Sequence, residues 1–260
     1  MKNRQRPLTD IIRFLAFSLL LVVLAVYASG RIEYPWQWYR VPRYLFTMED
    51  GHFLAGPLLD GLAVTLNVTW ISLILAFVIG LTTAVFRLSP SYVARLVARV
   101  YLETIRNTPL LIQIFFMYFV LAPVLDIGRF TSAVLALSLF EGAYASEIFR
   151  AGIVSVDKGQ WEACHSLGLT TFQAYRHIIL PQAIKRIIPP LTSIAVSLVK
   201  DSALVSTIAI YDLTMQGQVI VSETFLTFEV WFTVAAIYLV LTTAMSLAVN
   251  MLDRKLGAPA

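Results

Sequence analysis

Charge-free apolar runs alternate with short basic stretches along this chain, and the run lengths predict its elements. A helix crossing the ~30 Å hydrocarbon core of a bilayer needs about 20 residues. Phe14 to Gly30, Gly61 to Phe86, Asn107 to Leu125 and Val230 to Leu252 contain no Asp, Glu, Lys or Arg. Two further runs, near 130–149 and 178–199, are apolar enough to span but blemished. The first carries Glu141 and Glu147; the second carries Lys185, Arg186 and the pair Pro189–Pro190. Six spans follow, all helical, because only helices and closed barrels satisfy their backbone groups inside lipid. Pro189 and Pro190 should kink or break the fifth of the chain's internal spans.

Composition agrees with this pattern. Of the 260 residues, 58% are hydrophobic and 14% charged, with a mean hydropathy of +0.75. Soluble domains sit nearer a quarter charged. The chain is therefore read as an all-α polytopic membrane protein whose first partner is the lipid bilayer. A net charge of +4 requires no nucleic-acid partner, since basic residues retained on one side of a membrane account for it. With the N-tail inside, fifteen of the 20 Lys and Arg fall on the inner side, in the N-tail, around 87–106 and 150–177, at Lys185 and Arg186, and in the C-tail. Five fall outside. That places both termini in the cytoplasm. The first span has a competitor in a cleaved secretory signal, because a basic tail, an apolar stretch and Ala28-Ser29-Gly30 suit one as well. The outer segment 31–60 gathers Tyr34, Trp36, Trp38, Tyr39 and Tyr44, residues suited to the headgroup level.

The inner loop near 150–177 is the most informative. Asp157-Lys158-Gly159-Gln160 has the form of a capping box, and a short helix from about 158 should end at Gly168, where a left-handed cap favours glycine. Thr170-Thr171-Phe172-Gln173 offers a second helix start that runs into Leu180-Pro181. A capped surface helix between two spans suits docking into a partner's groove, or lying on lipid.

Glu162-Ala163-Cys164, Gly168 and Ile178-Ile179-Leu180-Pro181 resemble the EAA loop of bacterial ABC importer permeases, with every spacing kept and Cys164 in place of the second Ala. Arg106-Asn107-Thr108-Pro109-Leu110, Glu141-Gly142-Ala143-Tyr144 running on to Gly152, and Lys200-Asp201-Ser202-Ala203-Leu204 are similar to the polar amino-acid branch of that family, the histidine, glutamine and glutamate permeases. The resemblance implies a five-helix permease core over 58–255, with residues 1–57 adding one helix and an outer segment. It also implies a coupling helix at about 158–168, with Glu162, Ala163, Cys164, Gly168, Leu180 and Pro181 meeting a cytoplasmic ABC ATPase dimer. The other implied partners are a second permease, identical or paralogous, and an outer amino-acid-binding protein. ATP and Mg would belong to the ATPase, and no cofactor to this chain. The sequence lacks G-x-x-x-x-G-K-[ST], so it offers no phosphate cradle of its own, and we expect no enzyme site. Localisation is expected in the bacterial inner membrane.

Acids within spans need partners or water. Glu147 lies one turn from Arg150 and is expected to pair with it. Glu141 has no basic residue within one turn, so it is either a hydrogen-bonded structural carboxyl or a group facing the substrate. Tyr144, Asn107, Thr108 and Asp201 join it as candidate pathway residues. Asp201 is otherwise expected to pair with Lys200 or cap the outer end of its span. For Glu162, the local reading is an ion pair with Lys158. A stand-alone secondary transporter or a channel-type subunit are the other readings; neither accounts for the capped inner helix.

Overall fold

The computed structural model describes residues 13–20, 23–24, 27, 34–49 and 51–256. The chain divides into two compact units, Met1–Trp38 and Tyr39–Ala260. In the first, residues 13–20 are helical. Trp36 meets Tyr34 edge-on at 5.2 Å and stacks on Trp38 at 6.1 Å. Much of the predicted 14–30 span lies outside the described residues.

The second unit opens with one helical turn, Pro42–Leu45, and an antiparallel hairpin of β1 (Phe46–Glu49) and β2 (His52–Ala55) in which Phe46 pairs with Ala55. Eight helical segments follow: α1 (Pro57–Leu88), α2 (Tyr92–Arg106), α3 (Leu110–Leu125), α4 (Arg129–Val154), α5 (Lys158–Ser166), α6 (Thr171–Ile208), α7 (Leu213–Thr224) and α8 (Thr227–Leu256). Among the described residues, α1, α4, α6 and α8 are long and apolar enough to cross a membrane. Together α2 and α3 make a fifth run, bent by 107°.

That bend corrects the span expected at 107–125. The crossing starts at Leu110, and the preceding stretch, read from sequence as loop, is the amphipathic helix α2. The last carbonyls of a helix lack partners within it. Here the Gln113 side chain turns back to donate to the Ile105 and Thr108 carbonyls, both at 2.8 Å, and the Asn107 amide donates to the Glu103 carbonyl at 2.7 Å. Pro109, which has no N–H to leave unpaired, stands immediately before α3.

Lipid supplies no hydrophobic drive between helices, so close packing must come from small residues. Along α1 the buried face reads Gly61, Thr65, Thr69, Ser72, Ala76, Gly80 and Ala84. Large residues such as Trp70, Phe77 and Val85 point away. The face of α4 against it is equally small, with Ser138, Gly142, Ala145 and Ser146 buried. Hydrogen bonds cross this contact from Ser138 Oγ to the Ser72 carbonyl at 3.3 Å and from Ser72 Oγ to the Val134 carbonyl at 3.4 Å. A methyl group on Gly80 would lie 2.6 Å from Ala145 Cβ and 3.0 Å from the Gly142 carbonyl oxygen. Gly80→Ala is expected to cost about 1–3 kcal/mol by overpacking. Gly128→Ala, with nothing within 4 Å and an ordinary negative φ, should be near neutral. Thermal unfolding of the two variants in one detergent checks the contrast.

Pro189 and Pro190 do not break α6. The α-helical part runs unbroken from Leu180 to Asp201, and Thr192 Oγ donates to the Pro189 carbonyl at 2.6 Å. The irregularities sit at its two ends instead, as a π turn at Tyr175–Ile179 and a 3-10 stretch at Ser202–Ile208. Beyond it, the buried Asp212 caps α7 by accepting from the Met215 N–H at 2.8 Å. Burial pushes its carboxyl up to about 6, opposed by the backbone N–H groups of Met215 and Thr214.

Candidate functional site

Two places in the second unit carry chemistry, and α6 joins them. The first is α5. Asp157 accepts from the Gly159 N–H at 2.7 Å, satisfying one free donor of the first turn. The expected reciprocal box is not formed, because Gln160 turns away to accept from the Gln182 amide at 3.2 Å. The helix ends one turn before Leu169, where Gly168 takes φ +69. Leu169 N–H then donates to the Cys164 carbonyl and Gly168 N–H to the His165 carbonyl, both at 3.0 Å, giving a Schellman cap. The second capping box is complete at Thr170 and Gln173.

Burial divides the expected coupling residues. Glu162, Ala163 and Gly168 are exposed beside Leu167, which is 77% exposed. Cys164 is 2% exposed and faces the chain itself, so it anchors α5 and is unavailable to a partner. Trp161 completes the anchor, edge-on to Tyr175 of α6 at 5.0 Å. Arg186 of α6 donates to the carbonyl and hydroxyl of Ser155, just before α5. Leu180 and Pro181 belong to α6, on its exposed surface. Among the described residues no ion pair joins Glu162 to Lys158, so the Glu162 carboxylate stands open on the exposed face.

The second place lies in the bundle. Glu141 is 3% exposed and lies beside the Asp201 carboxyl. Asp201 accepts from Ser197 Oγ at 3.3 Å. This corrects the expected Lys200 pairing: the helical run continues to Ile208, which leaves Asp201 within α6 and turned toward α4. Tyr144 is partly exposed, with its ring 5.1 Å from Phe140.

Asn107 and Thr108 are not brought to this pair. They stand at the α2–α3 bend, where Arg106 reaches Glu147 at 3.0 Å, about 9 Å further along α4 than Glu141. Glu147 does pair with Arg150, at 3.4 Å, but it also takes Arg87 at 2.8 Å. Arg87 and Arg106 were missed because local spacing finds partners only one turn away. A carboxylate opposite several inner-side arginines was the available signal.

With this geometry in place, comparison with known proteins is decisive. The family model described as "Binding-protein-dependent transport system inner membrane component" matches residues 72–258. The chain belongs to that permease family. "Probable glutamine ABC transporter permease protein GlnM" of Bacillus subtilis (strain 168) is 42% identical over 199 residues, covering 76% of this chain and 92% of the relative. The glutamine transport system permease protein GlnP of Escherichia coli (strain K12) is 37% identical over 202 residues, with the same coverage. A crystal structure of an amino acid ABC transporter with histidines aligns with a TM-score of 0.73 at 40% identity, covering 76% of this chain and 94% of that one. The inward-facing MetNI methionine ABC transporter, at 22% identity and a TM-score of 0.66, shares the fold. This permease is accordingly a membrane-spanning subunit.

Proposed function

We propose that the chain forms the membrane pathway of an ATP-driven amino-acid importer, with Glu162, Ala163 and Gly168 presented to a cytoplasmic ATPase. The observation that carries this is α5 itself: capped at both ends, anchored by Cys164 and Trp161, and exposed along its outer face. The relatives named for glutamine and other amino acids supply the substrate class. In this reading ATP and Mg bind the partner ATPases, a second permease completes the pathway, and a binding protein delivers cargo from outside. The termini are cytoplasmic. Residues 58–255 make the transport core, and Tyr44 and Leu45, just before it, pack against the cluster that holds its Leu58 and Leu213.

Coupling then has a physical route. Force on α5 passes through the Trp161–Tyr175 ring contact and the Arg186–Ser155 bonds into α6. Asp201 lies roughly 40 Å along that helix from Tyr175. Moving α6 therefore moves one half of the Glu141–Asp201 pair against the other. An amino acid carries an ammonium group, and a separated carboxyl pair is a site for it; Tyr144 would border that site. Reconstitution tests the reading. Uptake of labelled amino acids should require the ATPase, ATP and the binding protein together. Uptake by this chain alone in proteoliposomes overturns it.

A further inference from the structure

The inner end of α4 holds more positive charge than its local pairing uses. A recess of about 300 Å³ lies between α1, α2 and α4, lined by Arg87, Arg95, Arg99, Arg106 and Arg150. Only two carboxylates, Glu103 and Glu147, face these five guanidinium groups. Glu147 is shared among Arg87, Arg106 and Arg150. Glu103 takes the Asn107 amide at 3.1 Å. Arg95 spends one nitrogen on the Ser89 and Pro90 carbonyls. Arg99 is exposed and, among the described residues, has no hydrogen-bond or ion-pair partner.

The other side of α2 says what fits here. Val93, Leu96, Val97 and Val100 are 67, 44, 53 and 58% exposed. At 100° per residue they form one strip, set about 130° around the helix from Arg95, Arg99 and Arg106. Ala98 and Leu102, between strip and arginines, are buried. A helix turned 107° from the span that follows it, apolar along one exposed side and basic along another, is suited to the membrane interface, with its arginines at headgroup depth. An acidic protein segment would answer the arginines and leave the apolar strip uncovered. A lipid answers both.

We propose that this recess binds the phosphate of an anionic phospholipid, with Arg99 as its principal free donor and the acyl chains lying along the exposed strip of α2. Basic recesses between membrane helices on the inner face suit such headgroups. The site is independent of the cargo and of α5. The full chain in zwitterionic detergent, titrated with phosphatidylglycerol, should show a saturable rise in melting temperature. Phosphatidylcholine should give no saturable rise. Arg99→Gln, an exposed and unpartnered position, should fold normally and need about fivefold more phosphatidylglycerol for half the shift. Arg99→Lys should recover most of that loss. Equal responses to both lipids, or an unchanged titration in Arg99→Gln, would overturn the proposal. Inorganic phosphate reproducing the shift at matched concentration would overturn it too, by assigning the recess to a free anion.

Discussion

Gly168→Val is expected to lower both amino-acid uptake and substrate-stimulated ATP hydrolysis by about tenfold or more, while the chain still inserts in the membrane. The glycine sits at φ +69 and donates to the His165 carbonyl; its neighbour Leu169 donates to the Cys164 carbonyl. A residue with a Cβ pays about 1–2 kcal/mol in that left-handed region, and a β-branched one is a clear outlier there. Every 1.4 kcal/mol is a factor of ten. The relief available to valine is a return to negative φ, which gives up both cap bonds and swings Leu167 and the end of α5 off the face we propose to meet an ATPase. Nothing lies within 4 Å of the new Cβ, so the bundle itself is undisturbed. Gly168→Asn, which tolerates the left-handed region, should keep much of the activity. Normal stimulation of hydrolysis in the valine variant would remove α5 from the coupling path.

Glu141→Gln should weaken apparent substrate affinity about tenfold and alter preference among amino acids, with a change in stability within ~1–2 kcal/mol. Glutamine keeps the shape and can still hydrogen-bond Asp201, but it cannot present charge to an ammonium group. Asp201→Asn should do the same. Because the two groups are neighbours and interact, the double variant should fall well short of the sum of the singles. Uptake titrations beside melting curves separate the two roles. Unchanged affinity together with lost stability would make the pair a structural clasp between α4 and α6.

The features legible in the sequence are those set by a few neighbouring residues. Span lengths follow from uninterrupted apolar runs, and the match of Thr170 with Gln173 needs only a single turn of backbone. The left-handed turn at Gly168 is equally local. Where a local rule had to compete with a distant partner, it misled. Gln160 left its box for Gln182, and α6 runs unbroken through Pro189 and Pro190. The small-residue face from Gly61 to Ala84 was readable as a helix contact, but nothing in it names α4 as the partner. That choice, and the depth at which the helices cross, brings Glu141 to Asp201 across 60 positions and Arg87 and Arg106 to Glu147. It also turns Cys164 inward, away from the surface its motif suggested. The sequence by itself determined the membrane class, the long apolar spans and the caps at Gly168 and Thr170, because those energies are local. Only the tertiary structure decided which charges meet, because a carboxyl finds its partner through the register of packed helices.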